Sequence, residues 1–319
     1  MNRLGIVVVT YNSETEIGVC LDACLALVPQ QGVEMVVVDN HSSDKTSAEV
    51  MKRPGVRLIR NETNEGFAAA ANRGIASIEC EHVLLLNPDV RLMTGIEPLL
   101  ECCDGEGVAA ASGKLVGPEG RFQAGFAVRR FPSPGALVLE VLGVNRIWPG
   151  NPVNRQYRCL DLDPEQGAAV EQPAGAFLMI RREVWQELGG FDETFQPLWF
   201  EDVDFLKRVS SRGHQIIYVP SVVARHRGGH SIGGLPWGCV QVCWYGSLLR
   251  YACKHFGMWG KGSVSVAVIV GITARAVARV FREHSLKPIG ICVQVVALAL
   301  SAAVNRQEAA VAASTPDRR

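Results

Sequence analysis

The sequence predicts an α/β protein built on a mostly parallel sheet flanked by helices, with a helical extension at its C-terminal end. Three observations predict it. Apolar, largely β-branched runs end abruptly on polar residues, as in GIVVVTYN, EMVVVDN and HVLLLNPDV. Segments with helical spacing lie between these runs, and beyond residue 236 the composition turns aromatic, basic and then long and apolar. Strands that alternate with helices are joined by crossovers, which pair the strands in parallel. Near-continuous apolar strands fit burial on both faces.

Taken in order, GIVVVTYN is the first strand and ETEIGVCLDACLALV the first helix. EMVVVDN is the second strand. The SSDKTSAEV that follows Asn40 carries a helix-capping signal, so Ser43 or Asp44 is expected to be structural, which leaves Asp39 unexplained by capping. EGFAAAANRGIASI is the next helix, and LLLNPDV ends the third strand. Thr10, Tyr11, Asn12, Asp39, Asn40, Asn87 and Asp89 therefore stand on one carboxyl rim, where open α/β sheets bind ligands. Residues 113–172, rich in Gly, Pro and Asn, read as long surface loops where acceptor specificity is built.

AFLMI is a further strand, followed by a short helix, a Gly-Gly stop and a helix that opens on Glu201, Asp202 and Asp204 and ends near Gly213; IIYVP is the last strand. One carboxylate in a first helical turn complements the helix dipole. Three within four residues, flanked by Trp199, Phe200 and Phe205, imply more. Apolar neighbours and mutual repulsion raise at least one pKa, which suits a general base. Successive helical positions differ by about 100°, so Glu201 and Asp204 are expected to lie together while Asp202 projects alone.

Composition bounds the function. The chain has 319 residues, 48% of them hydrophobic, enough for a substantial core in one large or two modest domains. Ten scattered cysteines without a C-x-x-C pair or zinc-spaced histidines read as reduced thiols of a cytoplasmic protein, and the N-terminal apolar run is too short for a signal peptide. Net charge is zero, yet residues 1–204 carry 29 acidic and 17 basic side chains whereas 205–282 carry 11 basic and no acidic ones. The acidic front argues against a nucleic-acid ligand. No G-x-G-x-x-G follows the first strand and no G-x-x-x-x-G-K-[ST] occurs, which excludes a dinucleotide oxidoreductase or a P-loop NTPase. Phosphates are then expected to be neutralised by Mg²⁺ or Mn²⁺ on Asp89, whose approach Pro88 fixes.

VVVTYN, VVVDN with its trailing SSD, NEGFAAAANRG, LLLNPDV, PAGAFLMIRREVWQELGGFDE and FEDVDF, in this order and spacing, resemble inverting family 2 glycosyltransferases of the GT-A (Rossmann-like) fold. Within that family they look most like rhamnosyltransferase-type enzymes of cell-envelope polysaccharide synthesis. The resemblance covers roughly residues 4–235. It implies that Thr10, Tyr11 and Asn12 line the nucleotide pocket, Tyr11 against the base, and that Asp39 accepts the pyrimidine N3–H. It places Asn72 and Asn87 with the donor. Asn87-Pro88-Asp89 stands where the family has Asp-x-Asp, with an amide for the first carboxylate, so Asp89 alone of that motif meets the metal. Asp202 matches the base that deprotonates the acceptor, and His226 matches a histidine near the metal or diphosphate, with His230 its competitor. The implied donor is a nucleotide diphosphate sugar, dTDP-rhamnose first; the implied acceptor is a glycan or polyprenyl-linked glycan.

The expected organisation is a glycosyltransferase domain over 1–235 (nucleotide-sugar half 1–112, acceptor half 113–235), a helical extension over 236–305 and a disordered tail over 306–319. In the extension, Arg275, Arg279 and Arg282 fall on one helical face, and no apolar run reaches the length of a transmembrane helix. A basic amphipathic helix at the inner face of the cell membrane and a homodimer contact are both expected of this region. Two rivals remain: a sugar-phosphate nucleotidyltransferase, although TYNSETEIG lacks the basic Gly-rich loop such enzymes carry, and a non-catalytic assembly protein on the same fold.

Overall fold

The structure is a computed structural model that describes residues 2–28, 31–228 and 235–304. His230 and the 306–319 tail lie outside the described residues. Two compact units divide the chain: residues 1–131, 158–193 and 201–233 form the first, and residues 132–157, 194–200 and 234–319 the second.

The first unit is a nine-stranded mixed sheet. Its first half is built from β1 (Asn2–Thr10), α1 (Ile17–Leu27), β2 (Val33–Asp39), α2 (Thr46–Met51), β3 (Val56–Arg60), α3 (Phe67–Ala76) and β4 (Cys80–Leu86). β5 (Val90–Leu92), α4 (Glu97–Asp104), β6 (Val108–Val116) and β7 (Val128–Arg129) come next. The second unit takes α5 (Pro134–Val141), α6 (Val144–Ile147) and α7 (Pro152–Tyr157). The chain returns to the first unit as β8 (Ala168–Ala169), β9 (Gln172–Pro173), β10 (Phe177–Arg181) and α8 (Arg182–Glu187), then α9 (Glu201–Ser211) and β11 (Gln215–His226). The strand order is β3-β2-β1-β4-β10-β6-β11-β5, with β8 beside β11.

Strands β1 to β4 pair in parallel, as the crossover helices require, whereas β10 runs antiparallel between β4 and β6. Side chains alternate across the sheet, so Ile6, Val8, Val37 and Leu84 fill one core and Val7, Val36, Val38 and Leu85 the other. That double burial is what the unbroken apolar runs encode. All ten cysteines are free thiols.

In the second unit three helices, Trp237–His255, Met258–Glu283 and Lys287–Val304, pack on one another, and α5 packs against the middle one. Two sequence expectations are corrected here. The Met258–Glu283 and Lys287–Val304 helices are 26 and 18 residues long and are apolar enough to cross a membrane by length and composition. The arginine face does not point outward as a unit either: Arg275 bonds the Tyr245 hydroxyl, and the Arg279 guanidinium lies 4.6 Å over the Trp237 ring. Spacing places arginines on a common face but does not say which face the neighbouring helix covers.

Candidate active site

The sheet register collects the rim. Thr10 is the partner of Asp39 across β1 and β2, and Val8 that of Leu86 across β1 and β4, so three strand ends stand side by side. The antiparallel β10 brings its own start to the same edge: Asn87 N donates to Ala176 O at 2.9 Å. One residue earlier, Gly175 N donates to Asp202 Oδ2 at 2.9 Å. Two hydrogen bonds from backbone N–H groups thus connect the end of LLLNPDV to the carboxylate that opens α9. A Cβ on Gly175 would stand 2.8 Å from the Asp202 Cβ, so only glycine lets that carboxylate pack over the strand start.

Asp89 and His226 meet although 137 positions separate them. β11 carries His226 opposite Val90 of β5, and His226 Nε2 lies 3.6 Å from Asp89 Oδ2. Gly228 N donates to the same oxygen at 2.9 Å. The ring stacks on Phe126, with centroids 4.9 Å apart and planes 12° from parallel. Gln123 fixes its protonation: its Nε2 donates to the His226 carbonyl at 3.0 Å, so its Oε1 must face His226 Nδ1, also at 3.0 Å. Nδ1 therefore carries the hydrogen. Burial lowers the His226 pKa against the opposing pull of Asp89, which favours the neutral ring. A bare Nε2 lone pair then faces a carboxylate oxygen, an arrangement that a divalent cation resolves, with the Gln123 carbonyl as the outer-shell acceptor such histidines use. No cluster of three or more His, Cys, Asp or Glu suited to a metal occurs among the described residues, so substrate oxygens and water have to complete the shell.

Asp202 is half-buried and accepts from Gly175 N and, at 2.8 Å, from Val203 N. Burial raises its pKa above the usual carboxylate value; those N–H groups and Arg129 oppose the rise without cancelling it. Glu201 is 7% exposed, its Oε2 has no hydrogen-bond partner, and burial followed by the charge of Asp202 drives its pKa well up. Asp204 does not lie with Glu201 in a shared role. It is fully buried and pairs with Arg208 Nε at 2.9 Å, while the other guanidinium nitrogens bond Leu188 O and Gly190 O. Asp204 thus holds the Gly-Gly turn.

The donor-side residues divide. Thr10 Oγ1 is buried without a hydrogen-bond partner, an open polar atom at the rim. Tyr11 and Asn87 stand partly exposed beside it. Asn12, in the left-handed region at φ 50°, accepts from Ser43 N at 2.8 Å and so ties two rim loops together. Asp39 Oδ1 accepts from Ser42 N at 2.9 Å and Oδ2 from the Ser47 hydroxyl, so it does shape the turn ahead of α2; Asp44 Oδ1 accepts from Thr46 N, the first residue of that helix, at 3.0 Å. Asn72, expected with the donor, is engaged with the protein. Its amide bonds Phe191 O, Phe191 N, Glu193 and Trp185, which pins α3 to the GGFDE turn. Gln123 was not singled out in the sequence: it sits in an irregular stretch 103 positions from its partner, where no spacing signal exists.

Residues 5–188 match the family described as Glycosyl transferase family 2, and residues 154–236 match Glycosyltransferase like family 2. The chain is 32% identical over 272 residues, covering 80% of itself and 86% of the relative, to the N-acetylglucosaminyl-diphospho-decaprenol L-rhamnosyltransferase of Mycobacterium tuberculosis. It is also similar to the rhamnosyltransferase WbbL of Escherichia coli, 24% identical over 152 residues, covering 47% of this chain and 53% of that one. Among solved structures, the mannosyltransferase PcManGT from Pyrobaculum calidifontis, in complex with GDP-Man and Mn²⁺, superposes with a TM-score of 0.54 at 18% identity, covering 95% of this chain and 86% of that chain. S. aureus TarS 1-349 gives 0.52 at 17%, covering 95% and 83%. These two speak for the fold, which is the GT-A architecture that the motifs imply. On the family match and the 32% identity together, this chain belongs to glycosyl transferase family 2 and is a glycosyltransferase.

Proposed function

We propose that the enzyme transfers rhamnose, with inversion, from dTDP-rhamnose to a polyprenyl diphosphate-linked N-acetylglucosamine or a related lipid-linked glycan, in cell-envelope polysaccharide synthesis. One observation carries the reading: the strand ends that seat Asp89 with His226 also seat Asp202 through Gly175, so a leaving-group site and a base share one rim. The likeness to the mycobacterial rhamnosyltransferase supports the sugar and the lipid-linked acceptor. Placement at the cytoplasmic side of the membrane, where nucleotide sugars are available, follows from the same acceptor.

Asp202 takes the proton of the acceptor hydroxyl as its oxygen attacks the anomeric carbon. The bond from that carbon to the diphosphate breaks on the opposite face, and the configuration inverts. Asp39 retains lone pairs for the pyrimidine N3–H beside its two turn contacts, and the unpartnered Thr10 hydroxyl faces the same region. Asp89 and His226 would hold Mg²⁺ or Mn²⁺. When bound, such an ion supplies positive charge against the diphosphate as it leaves.

The purified protein, offered a panel of labelled nucleotide sugars and polyprenyl diphosphate N-acetylglucosamine, is expected to transfer rhamnose from dTDP-rhamnose. Preferential transfer of a different sugar would overturn the donor assignment. Absence of transfer from any donor to any lipid-linked glycan would overturn the acceptor assignment as well.

A further inference from the structure

We infer that the Met258–Glu283 and Lys287–Val304 helices form a hairpin embedded in lipid hydrocarbon, so that the enzyme is held by apolar insertion rather than by charge. The inference does not depend on the donor or acceptor assignment.

The outward face of the Met258–Glu283 helix is a single stripe. Trp259, Val266, Val270, Val277 and Phe281 are all more than half exposed, and their spacings of 7, 4, 7 and 4 keep them within a narrow sector of one side. The remaining exposed positions between Met258 and Phe281 are Ser263, Thr273, Ala274 and Ala278, so no exposed position over that length is charged. The two hydroxyls are internally satisfied: Ser263 Oγ donates to Gly260 O at 2.8 Å and Thr273 Oγ1 to Ile269 O at 2.7 Å. Hydroxyls that return their hydrogen to the helix's own carbonyls need no water. The Lys287–Val304 helix repeats the pattern with Ile289, Val293, Leu300 and Val304 exposed at spacings of 4, 7 and 4, and carries no charge after Lys287.

Two of the three arginines of the longer helix, Arg275 and Arg279, are turned inward, and only Arg282 at its end is exposed. Arg275 and Arg279 are engaged with Tyr245 and Trp237, and Val264, Val268 and Ile272 are buried on the protein side. This is the reverse of a water-facing helix, whose charges point outward. Nor are these core helices of a soluble unit, since only 39% and 22% of their most apolar stretches are buried. At 1.5 Å per residue the two helices run about 39 and 27 Å, against a hydrocarbon layer of about 30 Å. Length, lack of charge and self-satisfied hydroxyls together favour lipid over a second copy of the chain as what covers the face.

The test is flotation of the full-length protein with neutral phosphatidylcholine vesicles, with and without 1 M NaCl, beside fractionation of cell membranes. Insertion predicts flotation on neutral vesicles that salt does not reduce, and release from membranes by detergent but not by salt or alkaline carbonate. Val270→Arg and Val277→Arg, each placing a charge in mid-stripe, are expected to reduce partitioning on the order of 100-fold apiece. Nucleotide binding by each variant confirms that it is folded. A wild-type protein that is soluble without detergent, as a monomer or as a dimer, would overturn the proposal, and so would flotation that requires anionic lipid and vanishes in salt.

Discussion

Asp202 joins two opposing influences in one carboxylate. Backbone N–H groups from Gly175 and Val203 hold its oxygens, while burial raises its pKa. The base form is therefore lost, as pH falls, at a higher pH than for an ordinary carboxylate. The acid limb of kcat should lie above the unperturbed value of 3.8, and Asp202→Asn should lower turnover by roughly 10²-fold or more while donor affinity persists. Near-normal turnover in that variant would move the base elsewhere. Glu201 carries a linked stability prediction. Its raised folded-state pKa means the native state favours the protonated form, so its contribution to stability is fully present below the ordinary value of 4.5 and is lost as pH rises through the raised value. Glu201→Gln removes that slope, so its melting temperature should gain on the wild type as pH rises above the ordinary glutamate value of 4.5; parallel curves would contradict this. On the metal side, Gln123→Ala frees the His226 tautomer and should weaken divalent-ion affinity by about 10- to 100-fold, read by titration calorimetry with Mn²⁺.

At the scale of elements, α9 is anchored at two levels. Its first turn presents Asp202 to Gly175, and one turn on, the Asp204–Arg208 pair grips Leu188 O and Gly190 O of the GGFDE turn. Arg208→Met leaves a fully buried carboxylate without its arginine, and chemical denaturation should show a loss near the low end of about 3–5 kcal/mol, since Arg208 is 21% exposed. The sequence disclosed β1, β2, β4 and β10 with α1, α3, α8 and α9 because unbroken apolar runs and 3.6-spaced segments are distinct patterns, whereas α5, α6 and α7 lie in the 113–172 stretch that reads as surface loops. β6 was not legible: VAAASGKLV is built of small residues and a lysine, and its strand character comes from being clamped between β10 and β11. β5 has only three residues, and β3, VRLIR, carries two arginines and no fully buried position, so neither reads as an apolar run. In the site, the rim positions were readable from strand ends, whereas Asn72 looked like a donor-binding group until its bonds to Phe191 were in place. Local spacing cannot show that a polar side chain already has a distant protein partner.

For the whole molecule, the order of charge along the chain was legible but its direction was not. Arg275 and Arg279 share a face in the sequence; only packing against the Trp237–His255 helix shows that this face is turned inward and the apolar one outward. The catalytic account rests on Asp89 and His226, brought together by β5 and β11, and on Asp202, brought to the same rim by β10. The most direct test is the initial rate of rhamnose transfer to polyprenyl diphosphate N-acetylglucosamine by metal-stripped enzyme, as Mn²⁺ or Mg²⁺ is added back. The account predicts no transfer in chelator, recovery with either cation in the wild type, and no recovery in Asp89→Ala. Full turnover in the presence of chelator would contradict it.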